Sequence, residues 1–182
     1  MPSGQTHDRI TLWSLPVVTG LAIAFTRSSN LTLLISGGFL FSGLMLSPDL
    51  DLNSRPFKRW GWLRWIWIPY QKSMRHRSVF SHGPIIGTTL RVFYLACWVA
   101  WFGLLILLGV QLVQELSFSW QGFVEAVGRT LSNYWTELIA LFVGLELGAM
   151  SHSLSDWTNS AYKRFKKPKR KSRSRKSSGS KK

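Results

Sequence analysis

Val92 to Val113 is a run of 22 residues without a single charge. About 20 apolar residues in an α-helix cross the ~30 Å hydrocarbon core of a bilayer, where the backbone has only itself to bond to. This run therefore predicts a transmembrane helix, and it sets the frame for three other apolar runs: Leu12–Phe25, Leu31–Leu46 and Trp135–Met150. The first is short for a span and carries Pro16, which a helix tolerates in its first turn. The second contains Gly37, Gly38 and Gly43, which weaken a helix in water but let membrane helices approach closely. With the turn Arg27–Asn30 between them, these two runs read as a tight antiparallel hairpin. The expected fold class is all-α: an integral membrane bundle of about four inserted helices, followed by a disordered basic C-terminal tail.

The boundary of that tail follows from composition. Twelve of the 23 Lys and Arg residues lie after Tyr162, and almost nothing apolar accompanies them. Such a segment cannot bury a core. Residues 1–160 are accordingly expected to form the membrane-embedded domain, and 161–182 the tail. A net charge of +15 requires anionic partners. Arg55 to Lys72 interleaves Arg59 and Arg64 with Trp60, Trp62, Trp65 and Trp67, the pattern of a segment lying at head-group depth. Membrane lipid is thus the expected partner, with anionic head groups held by the tail and by the Trp-rich segment. Nucleic acid is disfavoured, because the neighbouring spans make lipid the nearer anion. Cys97 is the single cysteine, so no intrachain disulfide forms. It reads as a small apolar residue.

The polar residues inside this apolar chain are not scattered. All four histidines and all four aspartates fall into four short clusters at the edges of the runs: His7-Asp8, Asp49-Leu50-Asp51, His76 with His82, and His152 with Asp156. His152 and Asp156 are one turn apart, on one face of any helix that continues through them. Pro48 stops the second helix just before Asp49. His76 and His82 are six apart, about 120° on a continuous helix, and need the junction that Gly83-Pro84 supplies. Glu146 lies inside the fourth run, either as a ligand or as a hydrogen-bonded structural acid.

Topology brings these clusters to one membrane face. His7 precedes the first helix. A hairpin returns Asp49 and Asp51 to the same side. Residues 52–82 do not cross, and the third and fourth helices go out and back. Counting charges on this arrangement puts 21 basic residues on the cluster face and two, Arg27 and Arg129, on the other. That bias makes the cluster face, with both termini, cytoplasmic.

Imidazole and carboxylate suit zinc, manganese, iron or nickel, with zinc the first expectation. The candidate ligands are His7, Asp8, Asp49, Asp51, His76, His82, His152 and Asp156. They exceed one coordination shell, so some orient others or the site holds two ions. Arg77 is the candidate to hold an anionic substrate such as a phosphate, and a spare aspartate, Asp51, to act as general base.

Thr6-His7-Asp8, Ser47-Pro48-Asp49-Leu50-Asp51, His76-Arg77-Ser78 through Ser81-His82, and His152 through Asp156 together resemble a bacterial family of uncharacterised metal-binding membrane proteins. That family is allied to the membrane-bound metal-dependent hydrolases of the bacterial inner membrane, whose pattern holds a Pro-Asp-x-Asp turn, a His-Arg-Gly…Thr-His junction and a later His-x-x-x-Asp. The resemblance covers residues 5–157. It departs at the junction, where Ser78 stands for the glycine, Ser81 for the threonine, and the histidines are further apart. It implies metal binding at an inner or internal membrane and, through the allied hydrolases, cleavage of an ester or phosphoester at the cytoplasmic surface. The alternative is a non-enzymatic protein in which metal pins the segments together.

Overall fold

A computed structural model describes residues 4–74, 78–114 and 119–166. Every regular element among them is helical: α1 (Gly4–Thr26), α2 (Ser29–Leu44), a 3-10 turn (Pro48–Asp51), α3 (Arg55–Arg59), a second 3-10 segment (Gly61–Trp67), α4 (Ile68–Ser73), α5 (Val79–His82), α6 (Ile86–Gln114), α7 (Trp120–Asn133) and α8 (Trp135–Lys166). Four helical stretches, Gly4–Thr26, Ser29–Asp51, Ile86–Val113 and Trp135–Lys166, are long and apolar enough to cross a membrane.

The first helix differs from its expected form. It starts at Gly4, so His7 lies within its opening turns rather than before them, and Pro16 sits mid-helix. The polar N-terminal turns extend α1 to 23 residues, about 35 Å, which removes the apparent shortness of the apolar run. Only Arg27 and Ser28 separate α1 from α2. Arg27 takes a left-handed φ of 49°, and Ser28 caps α2 by accepting the Leu31 N–H. At the other end of α2 the helix stops at Leu44, before Pro48, as the proline requires.

The α2–α8 seam is the main contact of the bundle. It is made by glycines on both helices. A Cβ on Gly144 would lie 2.2 Å from the Ile35 carbonyl oxygen, one on Gly148 2.5 Å from that of Phe39, and one on Gly38 2.8 Å from that of Leu141. Backbone therefore lies directly on backbone, the small-xxx-small packing that membrane helices use. Gly43 instead makes room for the Thr11 side chain of α1, whose Cγ2 a Cβ there would meet at 2.5 Å. Gly37, expected to share this role, faces open space.

The Trp-rich segment is only partly an exposed surface. Trp62 is 80% exposed, but Trp67 is fully buried. Trp67 joins Leu46, Leu50, Phe57, Ile66, Tyr70 and Leu145 in the larger of two apolar clusters. Its ring stacks edge-on against Trp60 and Tyr70, and Tyr94 of α6 donates its hydroxyl to the Ile66 carbonyl. This knot holds the Pro48–Asp51 turn from behind.

From Val92 onward no described side chain of α6 is buried, and none of α7 is. Between α6 and α8, α7 is a 14-residue helix capped by Ser119. α8 runs on unbroken through His152 and Asp156 to Lys166, so residues 161–166 of the expected tail are helical. The remainder of the tail, 167–182, lies outside the described residues.

Candidate metal centre

Three of the four His/Asp clusters meet at one end of the bundle. His7 comes from α1, Asp49 from the 3-10 turn after α2, and His152 and Asp156 from adjacent turns of α8. The His7 and His152 rings stack with centroids 3.9 Å apart and planes 22° from parallel. His7 Nε2 is 3.3 Å from Asp156 Oδ1, and His152 Nε2 is 3.8 Å from Asp156 Oδ2. Asp49 Oδ2 approaches His152 Nε2 at 3.3 Å from the other side. One ligand atom each of His7, His152 and Asp156 lies within 4.8 Å of the others. Both imidazoles are buried.

A cation fits this donor set better than hydrogen bonds alone. Ligand bonds of ~2.0–2.1 Å in a tetrahedron place neighbouring donors about 3.3 Å apart, the spacing seen here. Both ring nitrogens of His152 are buried without a hydrogen-bond partner among the described residues. An arrangement of that kind is costly unless another group satisfies it. Charge points the same way. Two carboxylates converge on two imidazoles, and protonating both stacked rings would set like charges face to face. One divalent ion balances two carboxylates with both rings neutral.

Ser155 selects which nitrogen of His7 is available. Its hydroxyl donates to the His152 carbonyl at 2.8 Å and lies 2.7 Å from His7 Nδ1. A hydroxyl has one proton; when it lies on the His152 carbonyl, Ser155 accepts from Nδ1–H. Neutral His7 then carries its lone pair on Nε2, the atom facing Asp156 and the centre. An outer group orienting a ligating histidine in this way is the usual companion of a metal site. Nothing at the level of sequence marks Ser155 apart from the i+3 spacing from His152.

Asp8 is positioned differently from the expected ligand. Its two oxygens are engaged by Arg59 at 3.0 and 2.7 Å, and Arg55 adds a third contact at 3.2 Å. It is the counter-ion of a guanidinium pair that ties α1 to α3. Asp51 is the other aspartate of the turn. Two residues from Asp49, it lies buried where its charge acts on Tyr70 and Arg91, and burial pushes the Tyr70 phenol above its ordinary range. His76 and Arg77 lie outside the described residues, as does the side chain of His82. The His82 backbone closes α5, which packs against the Pro48–Asp51 turn. Glu146 is the structural acid of the two alternatives: its Oε1 accepts the Ile85 N–H at 2.9 Å.

A cavity of about 160 Å³ opens beside the centre, with His7, Asp49 and His152 in its wall. Arg55 stands at the same cavity, nearly half exposed, with Ser54 beside it. Asp8 lines the same cavity and is paired with Arg55 at 3.2 Å, so a small group at the imidazoles meets an ion pair there.

Comparison with known proteins agrees with this chemistry. The family described as "Uncharacterized metal-binding protein (DUF2227)" matches residues 2–166. An uncharacterized protein of Aquifex aeolicus (strain VF5) is 44% identical over 59 residues, covering 32% of this chain and 41% of that relative. The matched region thus spans about two-fifths of the relative's length. No solved structure matches the chain.

Proposed function

The chain belongs to the DUF2227 family of uncharacterized metal-binding proteins, and on that premise we propose that it is an integral membrane protein holding a divalent metal, zinc first, between His7, Asp49, His152 and Asp156. The observation that carries the reading is the buried His152 ring, with two carboxylates on one nitrogen and no hydrogen bond to either. The membrane setting is supported by the four apolar helices and by the bias of basic residues toward the cluster end. That bias supports a cytoplasmic face for the centre.

Hydrolysis of an ester or phosphoester is the activity that the cavity favours. A bound metal of this type supplies a water of lowered pKa and polarises an ester oxygen. This chain's own residues contribute the rest. Arg55, paired with Asp8, offers its guanidinium to an anionic group in the cavity, Arg59 binds the same Asp8, and Ser155 orients the His7 ring. The competing reading is a metal that only fastens α1, the Pro48–Asp51 turn and α8. It is favoured by the fact that the four ligands come from three separate elements.

One experiment separates the two. Metal content is measured by elemental mass spectrometry on detergent-purified protein, wild type beside His152→Ala and Arg55→Ala, and each is assayed on a panel of phosphate and carboxylate esters. Stoichiometric metal in wild type and Arg55→Ala, with turnover in wild type alone, supports hydrolysis. Metal without turnover on any ester supports the fastening role. Wild type without metal after reconstitution with zinc, manganese, iron and nickel overturns both.

A further inference from the structure

α8 does not seat equally on its two neighbours. It packs along α2 through its glycines, whereas α1 touches it little, and a groove is left between α1 and α8. Two cavities, of about 540 and 480 Å³, occupy this groove. They share Ile10, Ser155 and Thr158 and are therefore continuous. The α1 wall is Thr6, Ile10, Ser14 and Val18, spaced by four on one helix face. The cavity at the imidazoles has no lining residue in common with this groove.

Polarity changes along the groove. Val18, Phe39, Leu147, Met150 and Leu154 line its inner part, with the hydroxyls of Ser14 and Ser151 among them. Thr6, Ser155, Thr158, Asn159 and Tyr162 line the outer part. Charge comes last: Lys166 Nζ stands 5.6 Å from the centre of the Tyr162 ring, and Arg164 and Lys166 are exposed. No carboxylate lines either cavity among the described residues. Asp8, Glu146 and Asp156 are close in sequence to lining residues but turn elsewhere. Asp8 binds Arg55 and Arg59, Glu146 accepts the Ile85 N–H, and Asp156 faces His7 and His152.

We infer that this groove holds an acyl chain of one anionic glycerophospholipid from the leaflet at the cluster end, with the ester level at residues 155–159 and the phosphate toward Lys166. The order of the layers decides the class. Apolar, then uncharged and hydrogen-bonding, then cationic is the order of acyl chain, glycerol ester and phosphate from the bilayer centre outward. Depth agrees with this. From residue 10 to residue 18 α1 rises about 12 Å. One leaflet gives hydrocarbon about 15 Å, half of the ~30 Å core. Ester and phosphate oxygens accept hydrogen bonds, and the Asn159 amide and Tyr162 hydroxyl are donors. Basic residues just outside a span are drawn to anionic head groups. A free phosphate would leave the apolar part unfilled, and an uncharged diacylglycerol would leave Lys166 unmatched. The inference rests on the membrane reading above and is independent of the metal.

The test is native mass spectrometry of the full chain, released from detergent after equal exposure to dioleoylphosphatidylglycerol, dioleoylglycerol or glycerophosphate. Wild type is run beside Ser14→Trp and Val17→Trp. Ser14 lies in the groove, whereas Val17 is on the same helix, 63% exposed and outside it, so the same ring is added in both. The expected result is one phosphatidylglycerol per chain in wild type and Val17→Trp, retained under activation that strips further lipids, and lost from Ser14→Trp. Its retention should exceed that of dioleoylglycerol about tenfold, on the scale of two cations at a head group. A ladder of adducts with no step at one lipid means annular lipid and overturns the proposal. So does equal retention of dioleoylglycerol, or glycerophosphate held as well as the whole lipid. Equal retention by Ser14→Trp and Val17→Trp assigns the lipid to the basic residues after Tyr162 and overturns it too. The three probes on the wild-type chain decide even if Ser14→Trp fails to fold. A chain that stays in solution without detergent and takes up no lipid defeats the membrane reading itself. One that needs detergent yet holds no single lipid defeats this inference alone.

Discussion

Gly144→Ala tests whether the helix seam sets the geometry of the centre. The added Cβ would meet the Ile35 carbonyl oxygen at 2.2 Å and the Ile35 carbonyl carbon and Cα at 2.9 Å. Non-bonded carbon and oxygen need roughly 3.3 Å, so α2 and α8 must separate by about 1 Å. Both partners are main chain, and no side chain can swing aside. Overpacking of this kind costs about 1–3 kcal/mol. The shift also propagates. Asp49 follows the end of α2 and His152 stands on α8, so their 3.3 Å approach opens with the seam. A metal site needs its groups held within about 0.5 Å. A 10–100-fold loss of zinc affinity is expected, on the scale of disturbed ligand support. Gly37→Ala is the internal control: it lies on α2 with nothing within 4 Å of its Cβ, and removing a helical glycine there should leave stability unchanged or raise it by up to ~1 kcal/mol. Affinity is read by chelator competition and stability by thermal melting, in one detergent. If Gly144→Ala matches Gly37→Ala in both, the seam does not position the centre and the reasoning fails.

Other expectations follow from the same geometry. Ser155→Ala should weaken metal binding about 10–100-fold while leaving the melting temperature of the metal-free protein nearly unchanged, because it frees the His7 tautomer without opening a cavity. Stripping the metal with a chelator should lower the melting temperature by about 5–10 °C relative to protein held at 100 times its dissociation constant, from ~2.7 kcal/mol of linkage; an unchanged melt would exclude binding to the folded state. Trp67→Ala should cost about 3–5 kcal/mol, measured by thermal or denaturant unfolding, since the ring is fully buried in the knot behind the 3-10 turn. A cost near that of an exposed residue such as Trp62 would show that the segment lies on a surface after all.

The long helices were readable in the chain because lipid-spanning runs impose a length and exclude charge, and α6 contains the whole Val92–Val113 run. Their ends were less so. The polar turns Gly4–Thr11 and Ser151–Lys166 carry no apolar signal, yet they continue α1 and α8, and helix continuation is what places His7 and His152 ring on ring. That clusters would converge followed from counting crossings. Which atoms would converge did not. Asp8 is beside His7 in sequence, but a residue one step along a helix points about 100° away, toward Arg55 and Arg59. The α2–α8 seam was legible on one side only: glycines in the second run announce a close approach, but not that Gly144 and Gly148 receive it.

The ligand set is drawn from both ends of the chain, with 148 positions between His7 and the Ser155 that orients it. This fixes an order of events during synthesis. A nascent chain has α1 and α2 made while α8 is still inside the ribosome, the Trp67 knot then still lacks Leu145 of α8, and no product that ends before Asp156 holds the full set. Metal capture is therefore the last step of assembly rather than its nucleus. On the proposed ligand set, a loaded centre certifies that the final helix has been made and seated against α2.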